Sequence, residues 1–410
     1  MNQPKKDQML HITLMDGMVR GLLLTATNTV AKAAAIHCTS PVATAALGRS
    51  LMGTAMMGAM LKTDDASVTV TIDGGGPIGK IVCVADKDSV RGCVDNPHLE
   101  MPLRPDGKLS VGMAVGNTGR MSVVKDVGMK NPYVGQVQLY SGEIAEDFAT
   151  YYVQSEQTPT LQSLGVLVNG ETVLSAGGVL LQPLPGCPDS VISELELRSP
   201  LMADISRELC YEPMEDLAKK WFDGMKYVVL GESDLSYRCN CSRSRMERAL
   251  ITLGQEELTR MIQDEQEGAE LTCHFCKKTE KFTQHDLIRL LNQATRGCPP
   301  GPPDCASRRA GLMRFGLHRR PPVGDGPPGS LGAVLRNRHA CPHAPHNTSH
   351  GCSAPTKALQ THSVGAEFIP PSCSSLIHPH TEGRRSHKRA GATVFAPAVL
   401  AATPNINIHP

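Results

Sequence analysis

Four cysteines stand in two close pairs, Cys239-Asn-Cys241 and, 31 residues further on, Cys273-His-Phe-Cys276. Two such pairs around a short insert supply what a tetrahedral zinc site needs, each giving two thiolates about 2.3 Å from the metal. One Zn2+ per chain is therefore expected, held by Cys239, Cys241, Cys273 and Cys276. Chance clustering and two ordinary structural disulfides are the competing readings, but neither explains why both pairs fall within residues 232 to 296. His274 reads as a bystander, because an imidazole ligand there would distort the turn that aims its neighbours' sulfurs at one point. A pair separated by a single residue adds a redox aspect: a disulfide across it closes a small strained ring, and strained disulfides reverse easily. The same sulfurs can bind metal when reduced and form disulfides when oxidised.

The remaining cysteines carry less. Cys38, Cys83, Cys93, Cys187 and Cys210 stand alone and read as small buried hydrophobes, and five more lie beyond Gly297. Fourteen cysteines in a chain without a signal peptide or bilayer-length apolar run fit a reducing compartment, so a cytoplasmic location with no membrane association is expected. A second candidate, Asp73-Gly-Gly-Gly-Pro-Ile-Gly-Lys80, approaches a phosphate-binding loop. It lacks the following Ser or Thr, and Ile81-Val-Cys-Val reads as a strand where a helix is required. A glycine-rich turn between strands is the expectation.

The elements that would position these residues give an α+β fold. Residues 12 to 62 show helical spacing, with a Met- and Ala-rich buried helix from Val42 to Leu61. Val68, Val70 and Ile72 alternate with threonines as a half-buried strand does. Further strands are expected at 79–85, 120–124, 134–140 and 172–181, and a helix at 145–155. Residues 187 to 231 read as an amphipathic helical linker that covers an apolar surface. A final helix opens at the capping box Thr283-Gln-His-Asp286 and stops at Gly297. From Gly297 onward lie 17 of the 30 prolines and 10 of the 15 histidines, with 12 Lys and Arg against 4 Asp and Glu. That composition cannot offset chain entropy by apolar burial, so residues 297–410 read as a disordered basic tail. The expected division is a mixed α/β domain (1–186), the linker (187–231), the four-cysteine zinc domain (232–296) and the tail.

With these residues in view, the chain resembles the bacterial heat-shock protein 33 family of redox-regulated holdase chaperones across about residues 8 to 296. The segments that carry the likeness include the Gly-Gly-Gly-Pro-Ile-Gly turn, Arg91-Gly-Cys-Val-Asp-Asn-Pro97 and Ser141-Gly-Glu-Ile-Ala-Glu-Asp147. They continue with Tyr151-Tyr-Val-Gln-Ser-Glu-Gln157, Ala176-Gly-Gly-Val-Leu-Leu-Gln-Pro-Leu-Pro-Gly186 and both cysteine pairs. The resemblance implies a chaperone rather than an enzyme, inactive when reduced and zinc-bound. It implies that oxidation joins Cys239 to Cys241 and Cys273 to Cys276, releases zinc and unfolds the switch. The product would be an ATP-independent homodimer that holds unfolded client proteins for ATP-dependent foldase chaperones. The tail has no counterpart in the family pattern, as a translated frameshift or readthrough would have none.

Two other classes compete. A nucleic-acid-binding zinc module would suit the metal site and basic tail, but the acidic residues Asp264, Glu265, Glu267 and Glu270 would repel phosphates. No nucleic acid partner is expected. A disulfide oxidoreductase using Cys273 and Cys276 would want that pair at the head of a helix, and the sequence places it in a turn.

Overall fold

The computed structural model describes residues 6–264, 268–296 and 315–317. Strands β1 (Gln8–Leu14), β2 (Val19–Thr25), β8 (Leu161–Asn169), β9 (Thr172–Pro183) and β10 (Tyr227–Asp234) form one antiparallel sheet in the order β10-β1-β2-β9-β8. Strands β3 (Ser67–Asp73), β4 (Ile81–Ala85), β5 (Ser89–Val94), β6 (Arg120–Asp126), β7 (Tyr133–Gln138) and β11 (Ser236–Tyr237) form a second, in the order β11-β5-β4-β3-β6-β7. Only the short β11 runs parallel to its neighbour, pairing Tyr237 with Val90.

The helical reading of residues 12 to 62 fails over 12–25, which are the end of β1, a turn at 15–18 and β2. Leu22, Leu23 and Leu24 are all buried because the five-stranded sheet is covered on both faces. Period-two alternation, the usual strand signature, is erased there. The Met- and Ala-rich helix is present as α2 (Pro41–Ala59), preceded by α1 (Thr27–His37). Ser40 caps α2 by accepting the Ala43 N–H, and sixteen of its nineteen residues are buried. With α3 (Val111–Val115) and α4 (Ala145–Glu156), α1 and α2 contribute to the core between the two sheets. Close packing there needs Gly53: a Cβ would lie 2.4 Å from the Phe148 ring. The loop into α4 is held by Asp147, fully buried, whose Oδ1 accepts N–H groups of Tyr140 (2.7 Å) and Ser141 (3.1 Å) and whose Oδ2 accepts that of Ile144 (3.0 Å).

The glycine-rich segment is a turn between β3 and β4, as its sequence suggests. A Cβ on Gly74 would lie 2.3 Å from the carbonyl oxygens of Val115 and Gly116, so close backbone approach accounts for this glycine. Lys80 pairs with Asp73 at 3.3 Å.

Beyond β9, α5 (Asp189–Arg198), α6 (Ile205–Glu208) and α7 (Met214–Trp221) lie on the outer face of the five-stranded sheet. Val191, Leu195, Ile205, Leu217 and Trp221 meet Leu10, Ile12, Leu14, Val19, Leu23, Val179 and Leu181. The helical reading of 187 to 231 holds as far as Trp221 and fails after it. Residues 227–231 belong to β10, where β-branched Val228 and Val229 pair with β1 and satisfy an otherwise open edge.

The last described body contains α8 (Arg243–Thr252), α9 (Gln255–Asp264), β12 (Ala269–Cys273), β13 (Thr279–Phe282), α10 (Gln284–Arg296) and β14 (Phe315–Leu317). The capping box forms as expected: Asp286 N–H donates to Thr283 Oγ1 (3.2 Å), and Thr283 N–H to Asp286 Oδ2 (3.0 Å). The reading of a disordered tail falls largely outside the described residues. Phe315–Leu317 depart from it, pairing antiparallel with Leu271–Cys273 along an edge of β12 that β13 leaves open.

Candidate metal centre

Cys239 and Cys241 follow β11 directly, and Cys273 ends β12. The backbone then folds tightly back: Lys277 N–H donates to the Cys273 carbonyl at 2.8 Å, and Cys273 N–H to that of Lys278 at 2.9 Å. Lys277 takes a left-handed φ of 58° to make this turn. The four sulfurs end within 4.8 Å of one another. Cys239 Sγ lies 3.8 Å from Cys273 Sγ, and Cys241 Sγ 3.2 Å from Cys276 Sγ. Ligands about 2.3 Å from a common centre stand about 3.8 Å apart at a tetrahedral edge, whereas a disulfide needs about 2.05 Å. The donor set therefore fits a tetrahedral thiophilic ion such as zinc. His274 is not one of the clustered groups.

The electrostatics agree with that donor set. Without a cation the four thiols cannot all ionise. Hydrogen bonds from Cys239 and Cys273 hold Cys276 well below the usual thiol range, those to Cys273 and Cys276 push Cys239 up, and burial pushes Cys241 up. One thiolate is thus stabilised by its neighbours' protons, and a bound cation would let the others ionise too.

Arg243 staples the domain together, and its role was not visible in the sequence. Its guanidinium donates to the Lys281 carbonyl (2.8 Å) and Asp286 Oδ2 (2.9 Å) and stacks 4.5 Å from the centre of the Phe282 ring. The domain docks on the outer face of the six-stranded sheet, where Val82, Val84 and Cys93 pack in one cluster with Met246, Leu250, Cys273 and Phe275. Two further residues that sequence reasoning missed sit at this junction. Tyr237 Oη and His37 Nε2 lie 2.5 Å and 3.1 Å from the Phe275 carbonyl oxygen. Burial, helped by the Lys277 charge, lowers His37 to about 4, so it is a neutral donor at pH 7. Of the isolated cysteines, Cys83 and Cys93 are buried as expected. Cys38 and Cys187 are half-buried and Cys210 is exposed, because they fall at helix ends and in the linker rather than in sheets.

A family model described as Hsp33 protein matches residues 7–283. The 33 kDa chaperonin of Acetivibrio thermocellus is 45% identical over 289 residues, covering 70% of this chain and 97% of its own length. That of Clostridioides difficile is 39% identical over 290 residues, 99% of its length. The crystal structure of the 33 kDa chaperonin (heat shock protein 33 homolog) of Thermotoga maritima aligns with a TM-score of 0.65 at 32% identity, covering 71% of this chain and all of that one.

Proposed function

This chain belongs to the heat-shock protein 33 family of chaperones, and on that premise we propose that it is an ATP-independent holdase whose activity is switched by the redox state of Cys239, Cys241, Cys273 and Cys276. The observation that carries the reading is the convergence of four sulfurs within 4.8 Å in a domain docked on the chaperone core. Zinc, when bound, keeps all four sulfurs as thiolates and contributes on the order of 10 kcal/mol to the fold of its domain. The cysteines do the rest. A thiolate attacks peroxide and becomes a sulfenic acid with loss of hydroxide, and a neighbouring thiolate then displaces the second hydroxide to close a disulfide. We assign these bonds to Cys239 with Cys241 and Cys273 with Cys276. Their formation removes the metal's donors, and the domain loses its main support.

The consequence reaches the linker through the chain itself. From α7 it runs through β10, the edge of the five-stranded sheet, into β11 and then to Cys239. Unfolding of the cysteine domain loosens β11, then β10 and α5 to α7, baring the apolar face formed by Leu10, Ile12, Leu14, Leu23, Val179 and Leu181. That face binds unfolding proteins in the cytoplasm, the oxidised form acts as a homodimer, and clients pass to ATP-dependent foldases. The oxidoreductase alternative, which uses Cys273 and Cys276, is disfavoured because that pair is followed by the short strand β13 and so does not head a helix.

The test is zinc content and suppression of client aggregation, before and after peroxide, for the wild type and each single Cys→Ser variant. Each variant should lose most of its zinc, and wild type should hold clients only after oxidation. Equal holding by the reduced, zinc-loaded protein would sink the proposal.

A further inference from the structure

The Phe275 carbonyl belongs to the turn between Cys273 and Cys276, yet its hydrogen-bond donors come from distant parts of the chain. Tyr237 Oη lies 2.5 Å from it and His37 Nε2 3.1 Å, with both side chains nearly fully buried. Tyr237 is the last residue of β11, and His37 the last of α1. The tyrosine has one proton and two acceptors in reach, since its Oη also lies 2.9 Å from the Gly92 carbonyl oxygen on β5. Its oxygen can in turn accept from Gly92 N–H and from His37 Nε2, each 3.4 Å away. Two arrangements therefore satisfy the same side chains. With Phe275 in place, Tyr237 and His37 both donate to its carbonyl. With Phe275 gone, Tyr237 donates to Gly92 and His37 to Tyr237, and no buried donor is left without an acceptor. The second arrangement removes the penalty that would otherwise oppose departure of the cysteine domain.

We propose that His37 and Tyr237 form a latch that holds the four-cysteine domain on the six-stranded sheet through the Phe275 carbonyl, and lets it go when the Cys273–Cys276 turn changes shape. Phe275 adjoins Cys276, so a rearrangement of the sulfurs displaces this carbonyl early. Its ring adds a second sensor of position, lying 5.9 Å from the Arg91 guanidinium of the same sheet. The latch deepens the redox-switch reading and rests on it for what moves the turn.

Cys93 supplies a readout that does not depend on chaperone activity. It is 5% exposed, in the cluster of Val82, Met246, Leu250 and Phe275 beneath the docked domain, so alkylation at this position reports undocking. The reduced, zinc-loaded full chain is treated with N-ethylmaleimide, and Cys93 labelling is followed by peptide mass spectrometry. Tyr237→Phe and His37→Leu should each raise the Cys93 rate about tenfold, the equivalent of one buried hydrogen bond, with zinc content unchanged. His37→Gln, which restores an amide donor, should return it towards wild type. Wild-type rates in both loosened variants would overturn the latch. So would failure of both to fold, because the pair would then be part of the core. Zinc-stripped wild type under reductant separates the two ideas: if Cys93 stays protected there while the variants expose it, the latch stands and the metal-switch reading falls.

Discussion

Leu217→Ala should partly release the linker without any oxidation. Leu217 is 2% exposed, on α7 against the outer face of the five-stranded sheet, beside Trp221. Truncating a buried leucine to alanine costs about 3 kcal/mol, within a range of roughly 2 to 5. At 1.36 kcal/mol per decade this raises the population with α7 undocked roughly 150-fold. Opening of α5 to α7 requires less than global unfolding, so the loss should appear there first. Trp221 is the chain's one tryptophan, 2% exposed and donating from Nε1 to Glu208 at 3.2 Å, which makes its fluorescence a local reporter. The reduced, zinc-loaded variant should show red-shifted emission and faster hydrogen exchange over residues 189–221, with Val68 to Ile72 still protected. It should also suppress aggregation of a heat-unfolded client where reduced wild type does not. Unshifted emission in both the variant and peroxide-treated wild type would refute the assignment of these helices as the released element.

Acidification should loosen the fold through His37. Its folded-state value is lowered from 6.5 to about 4, so the stability it contributes is present above 6.5 and is lost as pH falls towards 4. Between pH 6.5 and 5 the loss is about 2 kcal/mol, and urea denaturation at the two pH values should show His37→Gln with a smaller drop than wild type. Asp147→Asn should destabilise the N-terminal domain by about 3 kcal/mol, because an amide cannot accept on both positions that now receive the Tyr140, Ser141 and Ile144 N–H groups. Thermal denaturation with unchanged zinc content would register it, and an unaltered Tm would refute it. Truncation after Arg296 removes only the three-residue β14 from the described fold, so zinc content and oxidised-state holding should both survive. Loss of either would give the tail a role.

Local chemistry alone determined the parts that are legible in the sequence. Two cysteine pairs can be read by counting residues, α2 by its Met- and Ala-rich apolar run, β3 by strict alternation over one buried and one less buried face, and the start of α10 by a box four residues long. The tertiary structure decided what depended on surfaces the chain supplies elsewhere. β1 and β2 lost their alternation because α1 and α2 cover one face of their sheet and the linker helices the other. Residues 227–231 became strand because β1 presented an open edge. His37 gains its role only where folding brings it to Tyr237 and Phe275, 200 and 238 residues away along the chain. Nothing in its own sequence neighbourhood distinguishes it from a core histidine, since the partner that defines it is a backbone carbonyl, a group every residue carries.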